Sequence, residues 1–304
     1  MNSDRPTLYI ITGPTASGKS ALAVSLASRL GTEIISADSR QIYRGIPIAT
    51  AVPTEEERGG IRHHFLETLP LEAYYSAALF AEEAGDIIRG LLRREGSAVV
   101  AGGSMLYVDA LTGSLDALPT VPDRIRQPLV ALHALRGDDW LRMRLRQLDP
   151  ASAERLDPAN IKRWLHALEI TLTAGRPYSS LLGTTSGTNP FPDARIVTIH
   201  LTGERDALFS RINMRAEAML SAGLLDEARR VWPLRHLNSL NTVGLKEMFM
   251  HIEGAMTLPE ALARMQKNTR VFAKKQMTWM KRPGRPAPDL TLPYGTTDTD
   301  LILR

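Results

Sequence analysis

The chain has 304 residues, of which 43% are hydrophobic and 23% are charged. This composition is typical of a globular protein with room for one large α/β domain and an accessory lobe. The sequence contains no cysteine, which excludes disulfides, thiolate zinc sites and a cysteine nucleophile. The first residues lack the charged region and apolar core of a signal peptide, and no apolar run is long enough to span a bilayer. We therefore expect a cytoplasmic protein without a membrane segment.

The net charge of +4 is distributed unevenly along the chain. The segment 261–286 contains eight Lys or Arg residues and no Asp or Glu, and the rest of the chain has 29 basic and 33 acidic residues, a net charge of −4. Such a concentration of positive charge favours a polyanionic partner. Charge alone would equally fit a solvated helix face.

The N-terminal part alternates between strand and helix patterns. Residues 8–12 and 32–38 predict buried strands, a helical pattern begins at Ser20, a helix is expected over 76–94, and 97–103 predicts another buried strand. Strands that alternate with helices are typical of a parallel sheet covered on both faces. The fold class expected is therefore α/β, with a parallel sheet flanked by helices.

Strand patterns then disappear from about residue 120 to 185, where the sequence predicts helices, and residues 184–193 are rich in turn formers. A strand over 195–201 resumes the α/β pattern, and helices are predicted over 204–222, 224–232 and 258–281. We interpret the middle stretch as a helical insertion. The predicted divisions are 1–118 and 194–286 for the core with its helical C-terminal lobe, 119–193 for the insertion, and a poorly structured tail over 287–304.

A phosphate-binding loop is predicted between the first strand and the first helix, where the spacing G-x-x-x-x-G-K-[ST] occurs in its required context. Backbone N–H groups and a helix N-terminus bind phosphate oxygens, Lys19 adds a mobile charge, and the Ser20 hydroxyl is a candidate ligand for Mg²⁺. A nucleotide or a diphosphate is the expected ligand. The loop comprises Gly13, Pro14, Thr15, Ala16, Ser17, Gly18, Lys19 and Ser20.

The strand at 97–103 ends in Gly102, Gly103 and Ser104, without the aspartate that phosphoryl-transfer enzymes commonly use to hold the metal. A carboxylate follows the second strand instead, as Asp38. Because the carboxyl ends of parallel strands meet in one crevice, we expect the loop, Asp38 and Ser104 to face one another. A helix cap or a metal ligand is the other interpretation of Asp38.

Taken in order, the motifs resemble the tRNA dimethylallyltransferases, also called tRNA isopentenyltransferases, over about residues 8–282. The absence of cysteine, and so of a zinc finger, fits the compact bacterial type. The motifs are GPTASGKS (13–20), SADSRQIY (36–43), AGGSMLY (101–107), RINMRAEAML (211–220), TVGLKE (242–247) and KKQMTWMK (274–281).

The resemblance implies a P-loop NTPase-like fold and transfer of a dimethylallyl group from dimethylallyl diphosphate to N6 of the adenosine 3′ of the anticodon. The loop then binds the diphosphate with Mg²⁺, and Lys19 and Arg215 oppose the negative charge that develops on it. Asp38 is implied as the base that takes the N6 proton. Ser104 matches a position that is usually threonine and keeps the hydroxyl.

The partners implied are tRNA, through its anticodon stem-loop, and dimethylallyl diphosphate, and we expect a monomer. The resemblance assigns tRNA contacts to one isolated position and four segments, with the insertion serving as a tRNA-binding domain. Leu245 stands where an aromatic residue is common, which would weaken a stacking contact. The implied contacts are Arg126; Asp38, Ser39, Arg40 and Gln41; Lys162, Arg163, Trp164, Leu165 and His166; Asn241, Thr242, Val243, Gly244, Leu245 and Lys246; and Lys274, Lys275, Gln276, Met277, Thr278, Trp279, Met280 and Lys281.

On a helical wheel the C-terminal helix has two faces. One carries Leu262, Met265, Phe272 and Trp279 and is expected to pack on the core, and the opposite one carries Lys267, Arg270, Lys274 and Lys281 and is expected to contact phosphates. The adjacent histidines His63 and His64 point to opposite faces of a strand, so we interpret them as structural.

Three alternatives remain open. A small-molecule P-loop kinase would explain the loop but not the basic helix or the insertion. An adenylate isopentenyltransferase, which prenylates free AMP, ADP or ATP, would need no tRNA platform. A non-catalytic tRNA-binding protein would leave Lys19, Asp38 and the hydroxyl at 104 without a common purpose.

Overall fold

A computed structural model describes residues 5–116, 118–183, 189–282 and 285–303. The chain forms two compact units. The first unit consists of Met1–Tyr74, Glu83–Val108 and Phe191–Arg304, and the second of Tyr75–Glu82 and Asp109–Pro190. The domain limits given above remain predictions.

The first unit is built on a parallel sheet. Within the described residues the sheet has six strands in the order β3-β2-β4-β1-β5-β6, and every pairing is parallel. The predicted α/β class with a parallel sheet is confirmed. The strands are β1 (Thr7–Thr12), β2 (Ile34–Ser36), β3 (His63–His64), β4 (Ser97–Ala101), β5 (Arg195–Thr202) and β6 (Leu290–Pro293).

Helices connect and flank these strands, and most of the predicted helices lie within a residue or two of their observed limits. They are α1 (Lys19–Leu30), α2 (Pro47–Thr50), α3 (Glu55–Arg58), α4 (Ala77–Glu95), α5 (Met105–Leu111), α6 (Asp123–Leu148), α7 (Pro150–Arg155), α8 (Ile161–Ala174), α9 (Arg205–Ser221), α10 (Leu224–Val231), α11 (Leu245–Ile252) and α12 (Leu258–Met280), with short 3₁₀ turns at Tyr178–Leu181, Trp232–Leu234 and Asn238–Leu240.

The core of the first unit explains why β1 and α1 form where they do. Leu8, Ile10 and Ile11 of β1 are almost completely buried, as expected for a central strand covered on both faces. On α1 the buried residues Leu22 and Leu26 recur at helical spacing and face the sheet. This packing fixes the direction in which the loop between β1 and α1 leaves the sheet.

The second unit is helical, with a core of its own. Trp164 of α8 is almost fully buried against Leu141 and Leu145 of α6. Helix α6 is interrupted at Gly137, whose φ of 76° lies in the left-handed region that favours glycine. The turn formers predicted over 184–193 fall partly on residues 184–188, which lie outside the described residues.

One strand of the sheet and four short helices differ from expectation. The tail over 287–304 was expected to be poorly structured, which is wrong at Leu290–Pro293, because β6 pairs with β5 from Ile199↔Leu290 to Thr202↔Pro293. Helices α2, α3, α5 and α11 were not predicted. Among the described residues, no helix combines the length and apolar character that crossing a membrane requires.

Candidate active site

The loop of residues 13–20 leaves the carboxyl end of β1 and enters α1, the context that phosphate binding requires. The Lys19 ammonium donates a hydrogen bond to the carbonyl of Pro14 at 2.8 Å, so it lies against its own loop. Burial, with a smaller contribution from the Arg215 guanidinium, lowers the pKa of Lys19 to about 7, and the Asp38 carboxylate opposes the shift. An anion bound by the loop would therefore also stabilise the charge of Lys19.

Asp38 lies two residues beyond the end of β2, beside the end of β4. Its Oδ1 accepts hydrogen bonds from the backbone N–H groups of Arg40 at 2.9 Å and Gln41 at 3.3 Å. These bonds cap a turn at residues 39–42 and not a helix, and the carboxylate also lines the cleft. The strand ends approach closely here, since a Cβ on Gly102 would overlap the backbone of Ala37.

Two arginines of α9 reach the outer side of the loop. Arg215 donates to the Thr15 hydroxyl at 3.0 Å, and Arg211 donates to the Ala16 carbonyl at 2.7 Å. Burial lowers the pKa of Arg215, and the Asp38 carboxylate opposes this shift. Arg215 was implied by resemblance, whereas Arg211 was missed, although it begins the same motif one helical turn earlier.

Residues from the C-terminal part complete the support of the loop. Gln276 of α12 accepts from the Thr15 N–H at 2.8 Å and donates to the Gly103 carbonyl at 2.9 Å. Just after β6, the N–H of Gly295 donates to the Ser17 carbonyl at 2.9 Å. No local signal identified Gly295, because its partner lies far away in the sequence.

Two cavities of about 520 and 650 Å³ share part of their lining. One contains the loop residues Lys19 and Ser20, and the other contains Ser104 and the 241–246 segment. The residues common to both are Thr15, Ala16, Asp38, Gly103, Arg215 and Phe272. The predicted meeting of the loop, Asp38 and Ser104 is therefore present, with Asp38 where the two cavities meet.

Several residues implied as tRNA contacts line the cavity that contains Ser104. Other residues of the same segments are buried or make hydrogen bonds within the protein. Leu245 is fully buried, so in this structure its side chain is not placed to stack on a base. The Gln41 amide donates to the carbonyls of Thr50 and Ala51. The implied tRNA contacts that line the cavity containing Ser104, besides Asp38, are Ser39, Arg40, Asn241, Thr242, Val243, Lys246 and Lys275.

The faces of α12 differ from the helical-wheel prediction. Its buried residues are Ala261, Met265, Ala273 and Gln276, so only Met265 of the predicted core face is buried. Phe272 is 41% exposed and lines both cavities. Lys274, Met277, Thr278, Met280 and Lys281 line a third cavity together with His200 and Arg205, and Trp279 lies beneath the Arg285 guanidinium at 3.8 Å.

In the second unit, too, some of the implied tRNA contacts are exposed and others are buried or bonded within the protein. Lys162 and Arg163 are exposed at the start of α8, and Leu165 and His166 are half-buried. Trp164 is a core residue whose indole N–H donates to the Asp157 carbonyl at 2.9 Å. Arg126 makes a two-pronged ion pair with the buried carboxylate of Glu169, at 2.9 and 2.8 Å. The tRNA contacts as a set remain a prediction.

The parallel sheet, with a lysine-bearing loop between β1 and α1 at its carboxyl edge, defines a protein of P-loop-like fold. The chain belongs to the IPP transferase family, whose model matches residues 41–283.

Comparisons with individual proteins agree. A curated relative, tRNA dimethylallyltransferase 2 from Porphyromonas gingivalis, is 45% identical over 282 residues, covering 93% of each chain. Another, from Parabacteroides distasonis, is 44% identical over 276 residues, covering 91% of each. The full-length tRNA isopentenylpyrophosphate transferase from Bacillus halodurans superimposes with a TM-score of 0.69 at 32% identity, over 98% of this chain and 94% of its own. A eukaryotic dimethylallyltransferase described as acting on tRNA gives 0.78 at 25% identity, over 95% and 74%.

Proposed function

We propose that this protein transfers the dimethylallyl group of dimethylallyl diphosphate to N6 of the adenosine immediately 3′ of the anticodon in tRNA. In this reaction the allylic C–O bond breaks, the new N6–C bond forms, diphosphate leaves and N6 loses a proton. The observation that carries the proposal is the position of Asp38, which lines both the cavity of the phosphate loop and the cavity of the 241–246 segment. A base is needed at the point where donor and acceptor meet.

The donor side is the phosphate loop. Backbone N–H groups, Lys19 and Arg215 oppose the negative charge that grows on the diphosphate as it leaves. The Arg215 guanidinium is already held against Thr15, so it need not be ordered when the substrate binds. Electrostatic stabilisation and positioning therefore account for the protein's contribution to breaking the C–O bond.

The acceptor side needs a proton acceptor, because the lone pair of the adenine amine is delocalised into the ring. Asp38 is the proposed base. Its Oδ1 is fixed by the N–H groups of Arg40 and Gln41, which orients the carboxylate rigidly. Ser104, on the same side of the cleft, supplies a hydroxyl within the reacting centre.

Magnesium is part of the proposal, and the residues present fit it. The Ser20 hydroxyl lines one cavity with Lys19, and Mg²⁺ prefers such oxygen donors together with substrate phosphates. No group of three or more His, Cys, Asp or Glu side chains suited to a metal occurs among the described residues. The ion would thus depend on the oxygens of the diphosphate, whose negative charge it would neutralise.

The acceptor is proposed to be the anticodon stem-loop of tRNA, whose unpaired adenosine is cheaper to extrude than a base in a duplex. The support is the basic C-terminal helix, the exposed Lys162 and Arg163, and the names of the curated relatives. A cytoplasmic monomer acting on free tRNA completes the proposal.

The test offers labelled dimethylallyl diphosphate and Mg²⁺ with unmodified tRNA, and in parallel with AMP. Label on N6 of the adenosine beside the anticodon is expected. Label on AMP alone would make the protein an adenylate isopentenyltransferase, and turnover of ATP without prenyl transfer would make it a kinase.

The matched variants are Asp38→Asn and, as a control, Asp206→Asn on the exposed side of α9. Asparagine keeps the Oδ1 acceptor for the N–H groups of Arg40 and Gln41 but cannot act as the base. We expect transfer to fall by about 10²- to 10⁴-fold with tRNA affinity unchanged. Wild-type turnover in Asp38→Asn would remove Asp38 from the role of base.

A further inference from the structure

Gln276 is a buried polar residue in the middle of the basic helix α12. It is 3% exposed, whereas its neighbours Lys274 and Lys275 are exposed. A buried amide is costly unless both its oxygen and its nitrogen find partners. Both do so here, and neither partner belongs to α12.

The two partners are the two halves of the proposed active site. The amide oxygen accepts from the N–H of Thr15, the third residue of the phosphate loop. The amide nitrogen donates to the carbonyl of Gly103, the residue before Ser104 at the end of β4. One side chain therefore joins the diphosphate cradle to the turn that carries the reacting-centre hydroxyl.

The space around Gly103 is shaped for this contact. A Cβ at this position would overlap the amide nitrogen of Gln276, and the next nearest atoms, Gln276 Cδ and the Gly13 carbonyl, are 3.6 and 3.8 Å away. Of the atoms that a Cβ at 103 would meet, only the Gln276 amide nitrogen lies closer than ordinary van der Waals contact. The pair offers two independent ways to displace the same hydrogen bonds.

Only glutamine, among side chains of this length and shape, both donates and accepts at its tip. Glutamate could still accept from Thr15 but could not donate to Gly103. Methionine would fill the space with neither bond, which leaves the N–H of Thr15 free to turn away from its present direction. The loop depends on its N–H directions to bind phosphate.

We propose that Gln276 is a positioning residue that sets the loop at Thr15 and the turn at Gly103 for diphosphate binding, and is not itself a tRNA contact. Its amide oxygen and nitrogen hydrogen-bond to the protein backbone, while the adjacent Lys275 lines the cleft. The inference deepens the proposed function, because it assigns a role within the same site. Its main readout, diphosphate affinity, does not require transfer to occur.

The experiment compares Gln276→Met with Gln266→Met in the full-length protein. Gln266 is on the same helix and contacts Asn213 and Glu217 outside the cleft. Calorimetric titration with inorganic pyrophosphate and Mg²⁺ measures the affinity of the loop for diphosphate. Filter binding of unmodified tRNA without diphosphate measures the affinity for tRNA. For Gln276→Met we expect pyrophosphate affinity to fall at least about tenfold, with tRNA affinity within about twofold of wild type. Gln266→Met should match wild type in both. Unchanged pyrophosphate affinity, or a loss confined to tRNA, would overturn the proposal.

A second set keeps the proposal testable if Gln276→Met does not fold. Gly103→Ala should displace the Gln276 amide and weaken pyrophosphate binding as Gln276→Ala does. Because both changes break the same bonds, the double variant should be no weaker than the weaker single variant. Losses that multiply would overturn the idea that Gly103 acts through Gln276.

The two proposals fail separately. If the wild-type protein transfers nothing to tRNA and yet Gln276→Met weakens pyrophosphate binding, the proposed function is wrong and the positioning role stands. If transfer occurs and Gln276→Met binds pyrophosphate as wild type does, the positioning role is wrong and the function stands.

Discussion

The guanidinium of Arg215 donates a hydrogen bond to the hydroxyl of Thr15 at 3.0 Å, so a residue of α9 holds the phosphate loop 200 positions earlier in the chain. The guanidinium is half-buried, and the Asp38 carboxylate opposes the lowering of its pKa by burial. A fixed cation beside the loop lowers the reorganisation needed when a diphosphate binds.

Replacing Arg215 by lysine should therefore weaken diphosphate binding even though the charge is kept. Lysine lacks the planar fork and is more strongly hydrated. Loss of a charge-assisted hydrogen bond of about 1.5–3 kcal/mol corresponds to about a 10- to 100-fold rise in the pyrophosphate Kd. Titration calorimetry measures the pyrophosphate Kd. The control is Arg229→Lys, which changes an arginine in an exposed ion pair with Asp226. Equal affinities for the two variants would contradict a specific role of the guanidinium.

The pKa of Lys19, lowered to about 7 by burial, predicts a pH dependence of binding. Below this pKa the free protein carries the ammonium that diphosphate binding favours, and above it a proton must be taken up on binding. Affinity should then fall as pH rises through about 7, by at most about tenfold per pH unit.

The matched variant is Lys19→Arg, which stays charged throughout this range. The ionisation of pyrophosphate is common to both proteins, so the ratio of their affinities isolates Lys19. Pyrophosphate Kd values measured between about pH 6 and pH 9 should show the wild-type affinity falling relative to the variant. A ratio independent of pH would mean that Lys19 does not titrate in the free loop.

The parts of the site that were predictable from sequence are local ones. The loop, its strand and its helix are contiguous, and Asp38 and Ser104 follow from the rule that parallel strands end at one edge. The face of α12 was not predictable, because a helical wheel ranks hydrophobicity and cannot show that a cavity lies beside Phe272. From the sequence alone, Gln276 is interpreted as a polar surface residue, because its backbone partners at Thr15 and Gly103 are distant in the chain. Strand β6 was missed for a similar reason, since it forms only by pairing with β5.

Phe272 is an aromatic residue where the two cavities meet. It is 41% exposed and lines both of them. Flipped bases are held by stacking on aromatic or apolar side chains, worth about 1–3 kcal/mol per base. Phe272→Ala should therefore lower kcat/KM for tRNA by about 10- to 100-fold, while Phe272→Tyr retains most of it and pyrophosphate affinity stays unchanged.

Leu301→Ala removes a side chain of similar exposure (37%) in the same unit and serves as the control. Steady-state transfer assays with varied tRNA separate the effects. A loss in Phe272→Ala that appears equally in pyrophosphate binding would place Phe272 on the donor side instead.

Arg126 was implied as a tRNA contact, but its two-pronged ion pair with Glu169 gives it a structural role in the second unit. The Glu169 carboxylate is 1% exposed, and the Nδ1 atom of the His166 ring lies 3.8 Å from it. Arg126→Met would leave this carboxylate buried without its main partner, which typically costs about 3–5 kcal/mol of unfolding free energy. The double variant Arg126→Met with Glu169→Leu replaces both charges by apolar groups and should recover much of that loss.

Denaturant unfolding of these variants and of the exposed control Arg124→Met measures the stability, and tRNA filter binding measures the contact. If Arg126 serves stability alone, the double variant regains wild-type tRNA affinity together with its stability. If it also binds RNA, the double variant folds and still binds tRNA weakly. A single Arg126→Met variant as stable as wild type would contradict the structural role, because the Glu169 carboxylate would then not depend on the arginine.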